Sequence, residues 1–185
     1  MSLGERFEET LRSARSGAGW ALADLYRDVH PRVLRYLRAL DGAEAEDLAS
    51  EVWLDAIDGL DRFEGDERAF RAWMFTIARR RWIDLRRRRA RRGTEPVSPE
   101  RLATHARIGN VEDEALAALA TEEALSRIAS LPSDQAEVLL LRALAGLEVR
   151  QVARIMGKRP GTVRVLQHRA LRRLARTMAE QGVTR

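Results

Sequence analysis

Apolar residues recur at intervals of three and four along most of the chain, which places them on one face of an α-helix. No segment shows the alternation of apolar and polar residues that is typical of a β-strand, and no internal repeat is visible. We therefore predict an all-α protein. The predicted helices cover approximately residues 20–40, 43–60, 66–88, 114–129, 134–145, 148–156 and 160–178.

The breaks in this pattern divide the chain into two halves. Pro31 is expected to bend or restart its helix because proline has no N–H to donate, and Asp66 is expected to cap the third helix. Between residues 90 and 113 the periodicity fails, and 24 residues mix Gly, Pro, Thr and Ser with charges. We expect a flexible linker here. It joins two small helical domains at residues 1–89 and 114–185.

The segment VRQVARIMGKRPGTVRVL, residues 149–166, has the pattern of a helix-turn-helix. Ala153 is small enough for two helices to cross closely, and Gly157 can adopt the positive φ that the turn requires. Val163 and Leu166 then pack the second helix on the first. This pattern predicts a nucleic-acid-binding module near the C-terminus.

The second helix of this module is strongly basic, with seven Lys or Arg residues and no acid between Lys158 and Arg176. At about 100° per residue, Gln167 points toward the apolar side of the helix. The predicted buried arc comprises Val163, Leu166, Ala170 and Leu174. The predicted outer face comprises Arg164, Val165, His168, Arg169, Arg172 and Arg176.

Position on the outer face suggests which contact each side chain makes. Arg164 and His168, one turn apart near the start of the helix, are predicted to contact base edges, and Val165 a thymine methyl. Phosphate contacts are predicted for Lys158, Arg159 and Arg172. The alternative is an amphipathic helix whose basic face is only solvated.

Charge in the first half is sorted into an acidic block and a basic block. Residues 41–69 hold eleven acids and two Arg, whereas residues 71–92 hold ten Arg and one acid. The acids Asp47, Glu51, Asp55 and Asp58 form a stripe along one helix, beside an apolar row of Leu48, Val52, Ala56 and Leu60. The stripe is either a solvated face or a docking surface for a basic partner. Carboxylates in a line do not converge on a metal or a reacting atom.

The arginine-rich helix carries aromatic residues on the same predicted face as arginines. This face comprises Arg71, Phe75, Arg79, Trp82 and Arg86, and the packed face comprises Phe70, Trp73, Met74 and Ile77. Rings next to guanidinium groups suit unpaired bases and their phosphates. The alternative is that Phe75 and Trp82 also pack against neighbouring helices. Asp84 is expected to orient Arg87 and Arg88.

Composition excludes several classes of site. The chain has 185 residues, a net charge of +5, no Cys and three scattered His, so we expect no disulfide, metal or other cofactor. The first residues lack the apolar core of a signal peptide, and no stretch approaches the ~20 apolar residues of a membrane span. We therefore expect a cytoplasmic protein.

Three segments together resemble an extracytoplasmic-function (ECF) sigma factor, a promoter-specificity subunit of bacterial RNA polymerase. AEDLASEVWLDAI resembles the polymerase-binding helix of sigma region 2, and RFEGDERAFRAWMFTIARRRWIDLRRRR resembles its promoter-melting segment. LPSDQAEVLLLRALAGLEVRQVARIMGKRPGTVRVLQHRAL resembles sigma region 4. The segments occur in the family's order.

The resemblance implies a role for each of these sites. Docking on the polymerase is implied for Asp47, Leu48, Glu51 and Asp55. Recognition and melting of the minus-ten element, with capture of a flipped base, are implied for Phe63, Gly65, Asp66, Arg79, Arg80, Trp82, Asp84, Arg87 and Arg88. Recognition of the minus-thirty-five element is implied for Lys158, Arg159, Thr162, Arg164, Val165, His168, Arg169 and Arg172.

The resemblance also implies partners and departures from the usual pattern. The partners are core RNA polymerase, promoter DNA and an anti-sigma factor; polymerase performs the chemistry, so no catalytic residue is expected. Arg80 stands where many members have Asn, and the loop FEGDERAF is one residue longer than in many members. The sequence at 165–167 replaces the common SRL, which implies a different minus-thirty-five preference.

Two other functions are alternatives to the one that this resemblance implies. An ordinary regulator would use the helix-turn-helix on a palindromic operator without polymerase, with the first half sensing a ligand or dimerising. A nucleic-acid hydrolase would use the acids from Asp47 to Asp58 with a divalent metal, and would lose function on chelation.

Overall fold

A computed structural model of the chain describes residues 3–91 and 122–182, with side chains described at 3–91 and 124–177. These residues form α-helices and short 3-10 turns, with no β-strand among them, which confirms the all-α prediction. The α-helices are α1 (Phe7–Arg15), α2 (Gly19–Leu40), α3 (Ala45–Gly59), α4 (Glu67–Arg91), α5 (Glu122–Ala129), α6 (Ser133–Ala145), α7 (Val149–Met156) and α8 (Pro160–Gly182).

The chain divides into two compact units, with the boundary between residues 95 and 96. In the first unit α2 packs against α1, α3 and α4, and α3 packs against α4. Tyr36 and Phe75 lie at the centre of this unit with their ring centroids 5.2 Å apart. Asp28 is also buried there, and desolvation raises its pKa.

Helix α1 was not predicted from the sequence. It is only nine residues long and rich in charge, but Phe7, Leu11 and Ala14 lie on one face and are buried. Packing of this apolar stripe on the rest of the unit stabilises a helix that would be marginal alone. Helix α1 is relevant to the candidate site, because its Arg15 and Phe7 contact residues near the loop at 63–66.

Helix α2 continues through Pro31 from Gly19 to Leu40, so proline does not restart the helix, whereas a bend at Pro31 stays a prediction. Proline removes one hydrogen-bond donor, but Leu25, Val29, Val33 and Leu37 are buried on both sides of it. This burial holds both halves of the helix in register. Helix α4 likewise runs three residues beyond its predicted end and reaches Arg91.

In the second unit, α6 packs against α5, α7 and α8, and α7 packs against α8. Gly157 ends α7 with φ of 64°, as the helix-turn-helix pattern predicted. The N–H of Lys158 donates to the carbonyl of Ala153 at 2.9 Å, which closes the turn. Ala153 and Val163 are buried where the helices meet. The predicted helical residues 114–121 lie outside the described residues.

Among the residues that the structure describes, no helix combines the length and apolar character needed to cross a membrane. The same residues contain no group of three or more His, Asp or Glu that could hold a metal ion.

Candidate functional site

The acidic stripe of α3 is bound by arginines of α4. Arg81 donates from Nε to Asp55 Oδ2 at 2.7 Å and from Nη2 to Asp55 Oδ1, and its Nη1 donates to Glu51 Oε2 at 3.0 Å. Arg80 donates to the same Asp55 at 3.3 Å. These hydrogen bonds lower the pKa of the Asp55 carboxyl and raise the pKa of Arg81. The stripe is therefore partly neutralised within the protein, and Asp47 and Asp58 are its exposed members.

A second ion-pair cluster joins the segment between α2 and α3 to the end of α4. Arg89 donates to Asp41, and to Glu44 Oε1 at 3.2 Å. Between this cluster and Arg81 lies an open groove of about 500 Å³. Its lining residues are Glu44, Asp47, Leu48, Ser50, Glu51, Leu85, Arg88 and Arg89. The groove thus presents acids along one helix and arginines along the other.

Leu48 is the buried member of the predicted docking set. Its side chain is 2% exposed, and Val52, Ala56 and Leu60 of the same apolar row are buried as well. Leu48 also lines the groove, so its part in docking stays a prediction. Asp47, Glu51 and Asp55 remain at the surface or half-buried.

Phe75 and Trp82 of α4 are core residues, which confirms the alternative that both rings pack against neighbouring helices. Phe75 is fully buried and Trp82 is 6% exposed, which leaves neither ring free to stack on a base. The Arg86 guanidinium lies 5.1 Å from the centre of the Trp82 ring. Helix α4 is covered by both α2 and α3. The helical period alone does not show this second covered side, so it left open whether the two rings were exposed.

The outward face of α4 near its C-terminus is formed by arginines. Arg80 and Arg86 to Arg88 are exposed, and Arg79 is half-buried. Asp84 lies 3.8 Å from Arg87, as its spacing predicted. Arg80, the residue that stands where many ECF members have Asn, is exposed but reaches back toward Asp55.

The loop from Phe63 to Asp66 is supported from beneath by aromatic rings. Phe63 is buried, stacks on Trp73 at 5.0 Å and meets Phe70 edge-on at 5.4 Å. Its side chain therefore supports the loop from the protein side, and its predicted contact with the minus-ten element stays a prediction. Asp66 accepts a hydrogen bond from the N–H of Ala69 at 2.7 Å, as its predicted capping role requires.

Gly65 gives the loop its shape. Its φ of 143° is unfavourable for other residues, and an added Cβ would lie 2.7 Å from the Cβ of Ala69. Glu64, Gly65 and Asp66 are exposed. They lie above the packed rings of Phe63, Phe70 and Trp73, here called the aromatic floor. The loop therefore presents backbone and two carboxylates to solvent.

The basic helix α8 exposes the predicted outer face. Val163, Gln167, Ala170 and Leu174 are buried as expected, whereas Leu166 is only half-buried. Among the predicted contact residues and the predicted outer face, the exposed residues are Arg159, Thr162, Arg164, Val165, His168, Arg169, Arg172 and Arg176. Gln167 has suitable chemistry for reading a base but lies on the wrong side of the helix.

Lys158 is the predicted phosphate contact that already has a partner. Its Nζ donates to Asp134 Oδ2 at 2.9 Å, which joins the turn to the start of α6. A phosphate would have to compete with this carboxylate. Neither the Lys158 pair nor the Arg81 pair was predicted, although Arg81 follows the buried Met74 and Ala78 at helical spacing. That spacing could have placed Arg81 at the edge of the buried face.

Comparison with known proteins gives matches in both units. Residues 25–92 match the profile of Sigma-70 region 2, and residues 121–174 match Sigma-70, region 4. The chain is 36% identical over 177 residues to ECF RNA polymerase sigma factor ShbA of Streptomyces griseus subsp. griseus, covering 91% of this chain and 92% of the relative. It is 34% identical over 187 residues to ECF RNA polymerase sigma factor SigD of Mycobacterium tuberculosis, covering 97% and 87%.

A solved structure is similar to the chain as well. The sigma factor RpoE, in its complex with the anti-sigma factor NepR from Bartonella quintana, is 27% identical to this chain with a TM-score of 0.60. The match covers 80% of this chain and 91% of RpoE.

Proposed function

Because the chain belongs to the ECF family of RNA polymerase sigma factors, we propose that its two units contribute separate steps of promoter recognition. The first unit, assigned to residues 1–89, binds the core polymerase and opens the minus-ten element. The second unit, assigned to residues 114–185, reads the minus-thirty-five element. Residues 90–113 join them. The observation that supports the proposal most strongly is the basic face of α8. Its arginines and His168 are exposed, whereas Gln167 on the opposite side of the helix is buried.

The minus-thirty-five contact rests on the geometry of α8. Arg164 and His168 are exposed one turn apart at the start of the helix, directly after the turn at Gly157. In a helix-turn-helix this end of the second helix meets base edges in the major groove. Arg159, Arg169 and Arg172 flank them and supply the phosphate contacts that fix the register.

The minus-ten contact rests on the exposed loop and the arginines of α4. Asp66 and the backbone around Gly65 are presented above the aromatic floor, while Arg80, Arg87 and Arg88 supply positive charge. Trp82 acts from within the core, by holding the helix that carries these arginines. A flipped base is captured at the loop, and the phosphates of the opened strand follow the arginines.

Docking on the polymerase is assigned to the groove between α3 and α4. Asp47 is exposed at its edge, and Glu51 and Asp55 are held by Arg81 in fixed orientations. Preorganised carboxylates favour a basic partner surface because little side-chain entropy is lost on binding. The RpoE complex with NepR supports an anti-sigma factor as a further partner of this chain. Such a partner would cover the polymerase-binding groove.

The protein itself is inferred to make no covalent bond, since the polymerase carries out nucleotidyl transfer in the cytoplasm. Its contribution is the binding energy of its two units, one at the minus-ten element and one at the minus-thirty-five element. Mounting both units on one polymerase makes the second DNA contact effectively intramolecular. Two weak contacts thereby give a specific start site.

The test is transcription of the source genome by core polymerase with and without the full chain, sequencing every new RNA 5′ end. New starts preceded by one shared two-part motif are expected. With Arg164→Ala, discrimination at one or two base pairs of the upstream element is expected to fall by about tenfold, the loss of one good base contact.

The matched control is Arg173→Ala, which removes an exposed arginine from the same helix outside the predicted reading face. It should leave the motif unchanged. An upstream motif that is equally sharp with Arg164→Ala would contradict the assignment of the reading face. Absence of new starts with an active core enzyme, together with binding of the free chain to a palindrome, would favour an ordinary regulator.

A further inference from the structure

The N-terminal segment, residues 3–15, contacts the chain on both sides of the loop at 63–66. On the entry side, the Arg15 guanidinium donates from Nε to the carbonyl of Leu60 at 3.2 Å and from Nη2 to the carbonyl of Phe63. Both acceptors are backbone carbonyls on the N-terminal side of the exposed residues 64–66, and Phe63 directly precedes them. One planar guanidinium therefore fixes the spacing of these two carbonyls.

On the exit side the direction of the hydrogen bonds is reversed. The backbone N–H groups of Leu3 and Gly4 donate to the two carboxylate oxygens of Glu67, at 3.2 Å and 2.9 Å. Glu67 is the first residue of α4 and directly follows the loop. Its carboxylate also lies 3.4 Å from Arg71. The N-terminal segment is thus tied to the residue at which the loop ends.

The apolar face of α1 completes the contact from below. Phe7 lies 5.7 Å from Phe70, and Phe70 meets Phe63 at 5.4 Å. The segment therefore touches the entry, the exit and the aromatic floor of the loop. These three contacts do not involve the exposed residues 64–66, which stay free to meet a ligand.

We propose that Arg15 and Glu67 are positioning residues that hold the loop at 63–66 in the shape that discriminates bases of the minus-ten element. The inference rests on the proposed function, in which this loop captures a base. It adds a specificity role for the N-terminal segment, which lies entirely outside the residues matched to sigma region 2. Positioned backbone reads a base only while its carbonyls and N–H groups stay fixed to within a fraction of an ångström.

The experiment compares full-length variants, each assembled with core polymerase, on a pool of templates randomised across the minus-ten region before a fixed start. Wild type should enrich a defined set of bases. Arg15→Ala is expected to lower the preference at the captured base by about tenfold, because a good base contact is worth roughly that much, with little change at the other positions. Glu67→Gln should act at the same base with a smaller effect.

The matched control is Arg12→Ala, which removes an exposed arginine one turn earlier on α1. It should keep the wild-type preference. Arg15→Lys keeps a donor for one of the two carbonyls and should restore part of the discrimination, which a requirement for packing alone would not predict. All four tryptophans lie in the first unit, so their fluorescence shows whether each variant is folded.

The outcomes separate this inference from the function on which it rests. If wild type enriches a minus-ten motif and Arg15→Ala transcribes more weakly with the same motif, the contact is structural and the inference is wrong. If Arg15→Ala does not fold, the pattern in Arg15→Lys and Glu67→Gln decides by the same criterion. If wild type enriches no bases in this region, the proposed role of the loop fails, and the inference with it.

Discussion

Arg81 determines how much of the acidic stripe a partner can meet. Its guanidinium binds both oxygens of Asp55 and one of Glu51, so these two acids face a fixed cation of their own chain. A basic partner must then recognise a network of paired charges and not a row of free carboxylates. Asp47, which is exposed, is the residue of the stripe best placed to make a new ion pair.

We predict that Asp55→Asn lowers the free energy of unfolding of the first unit by about 1 kcal/mol at pH 7, the upper end for a partly exposed ion pair. Arg81 holds the pKa of Asp55 below its ordinary value of 3.8. The stabilisation is therefore fully present above that value and is lost as the pH falls through the lower pKa of the folded state. The difference between variant and wild type should shrink as the pH falls below about 4.

Urea unfolding followed by tryptophan fluorescence measures this difference. Asp58→Asn, on the same helix but exposed, is the control and should change the stability by less than about 0.5 kcal/mol. An equal destabilisation in both variants, or one that stays constant down to pH 3, would show that the Arg81 pair is not its source.

Single helices differ in how far their exposed faces could be predicted. Helix α8 packs against α6 and α7, and there the helical period correctly placed Gln167 inward and Arg164 outward. Helix α4 also packs against two helices, α2 and α3, and there the period left two alternatives for Phe75 and Trp82, of which the structure shows the packed one. A periodic pattern reports one apolar face well, but it does not show how many neighbours a helix has.

Contacts between distant parts of the chain were not predictable at all. Arg15 lies 45 residues from Leu60, and Lys158 lies 24 residues from Asp134. No spacing rule connects such residues, because their proximity is created by helix packing. The existence and order of the main helices follow from local periodicity, whereas the support of the candidate site follows from tertiary structure.

The turn between α7 and α8 offers a pair of glycine substitutions with opposite signs. Gly157 has φ of 64°, so Gly157→Ala should destabilise the second unit by about 1 kcal/mol through backbone strain. Gly161 lies in the first turn of α8, so Gly161→Ala should stabilise it by roughly 0.5 kcal/mol. An added Cβ meets nothing within 4 Å at either position. The opposite effects expected at Gly157 and Gly161 therefore come from backbone conformation and not from the space available for a Cβ.

Hydrogen exchange of the α7 and α8 amides measures this pair, since the second unit contains no tryptophan. Protection should fall with Gly157→Ala and rise with Gly161→Ala. If both substitutions raised protection, the left-handed turn would not be a requirement of the module, and the packing of α7 on α8 would have to be set by side chains alone.

At the scale of the whole molecule, the two units carry different charge patterns on one chain. The first unit combines an acidic helix with an arginine-rich helix, and the second presents a basic face with no acid between Lys158 and Arg176. The net charge of +5 conceals this division. A single partner of one charge would not complement both units, whereas a polymerase and its promoter together would.

The covalent connection between the units should matter for this reason. We predict that a protease site inserted between Thr104 and His105 leaves transcription intact until it is cleaved. Cleavage should then raise the concentration of the protein needed for half-maximal transcription by about a hundredfold, because the second DNA contact loses its effective concentration. The uncleaved insertion variant is the matched control. If the cleaved halves work at the original concentration, each must bind the polymerase tightly enough alone, and the gain in specificity would come from the polymerase surface and not from the chain that joins the units.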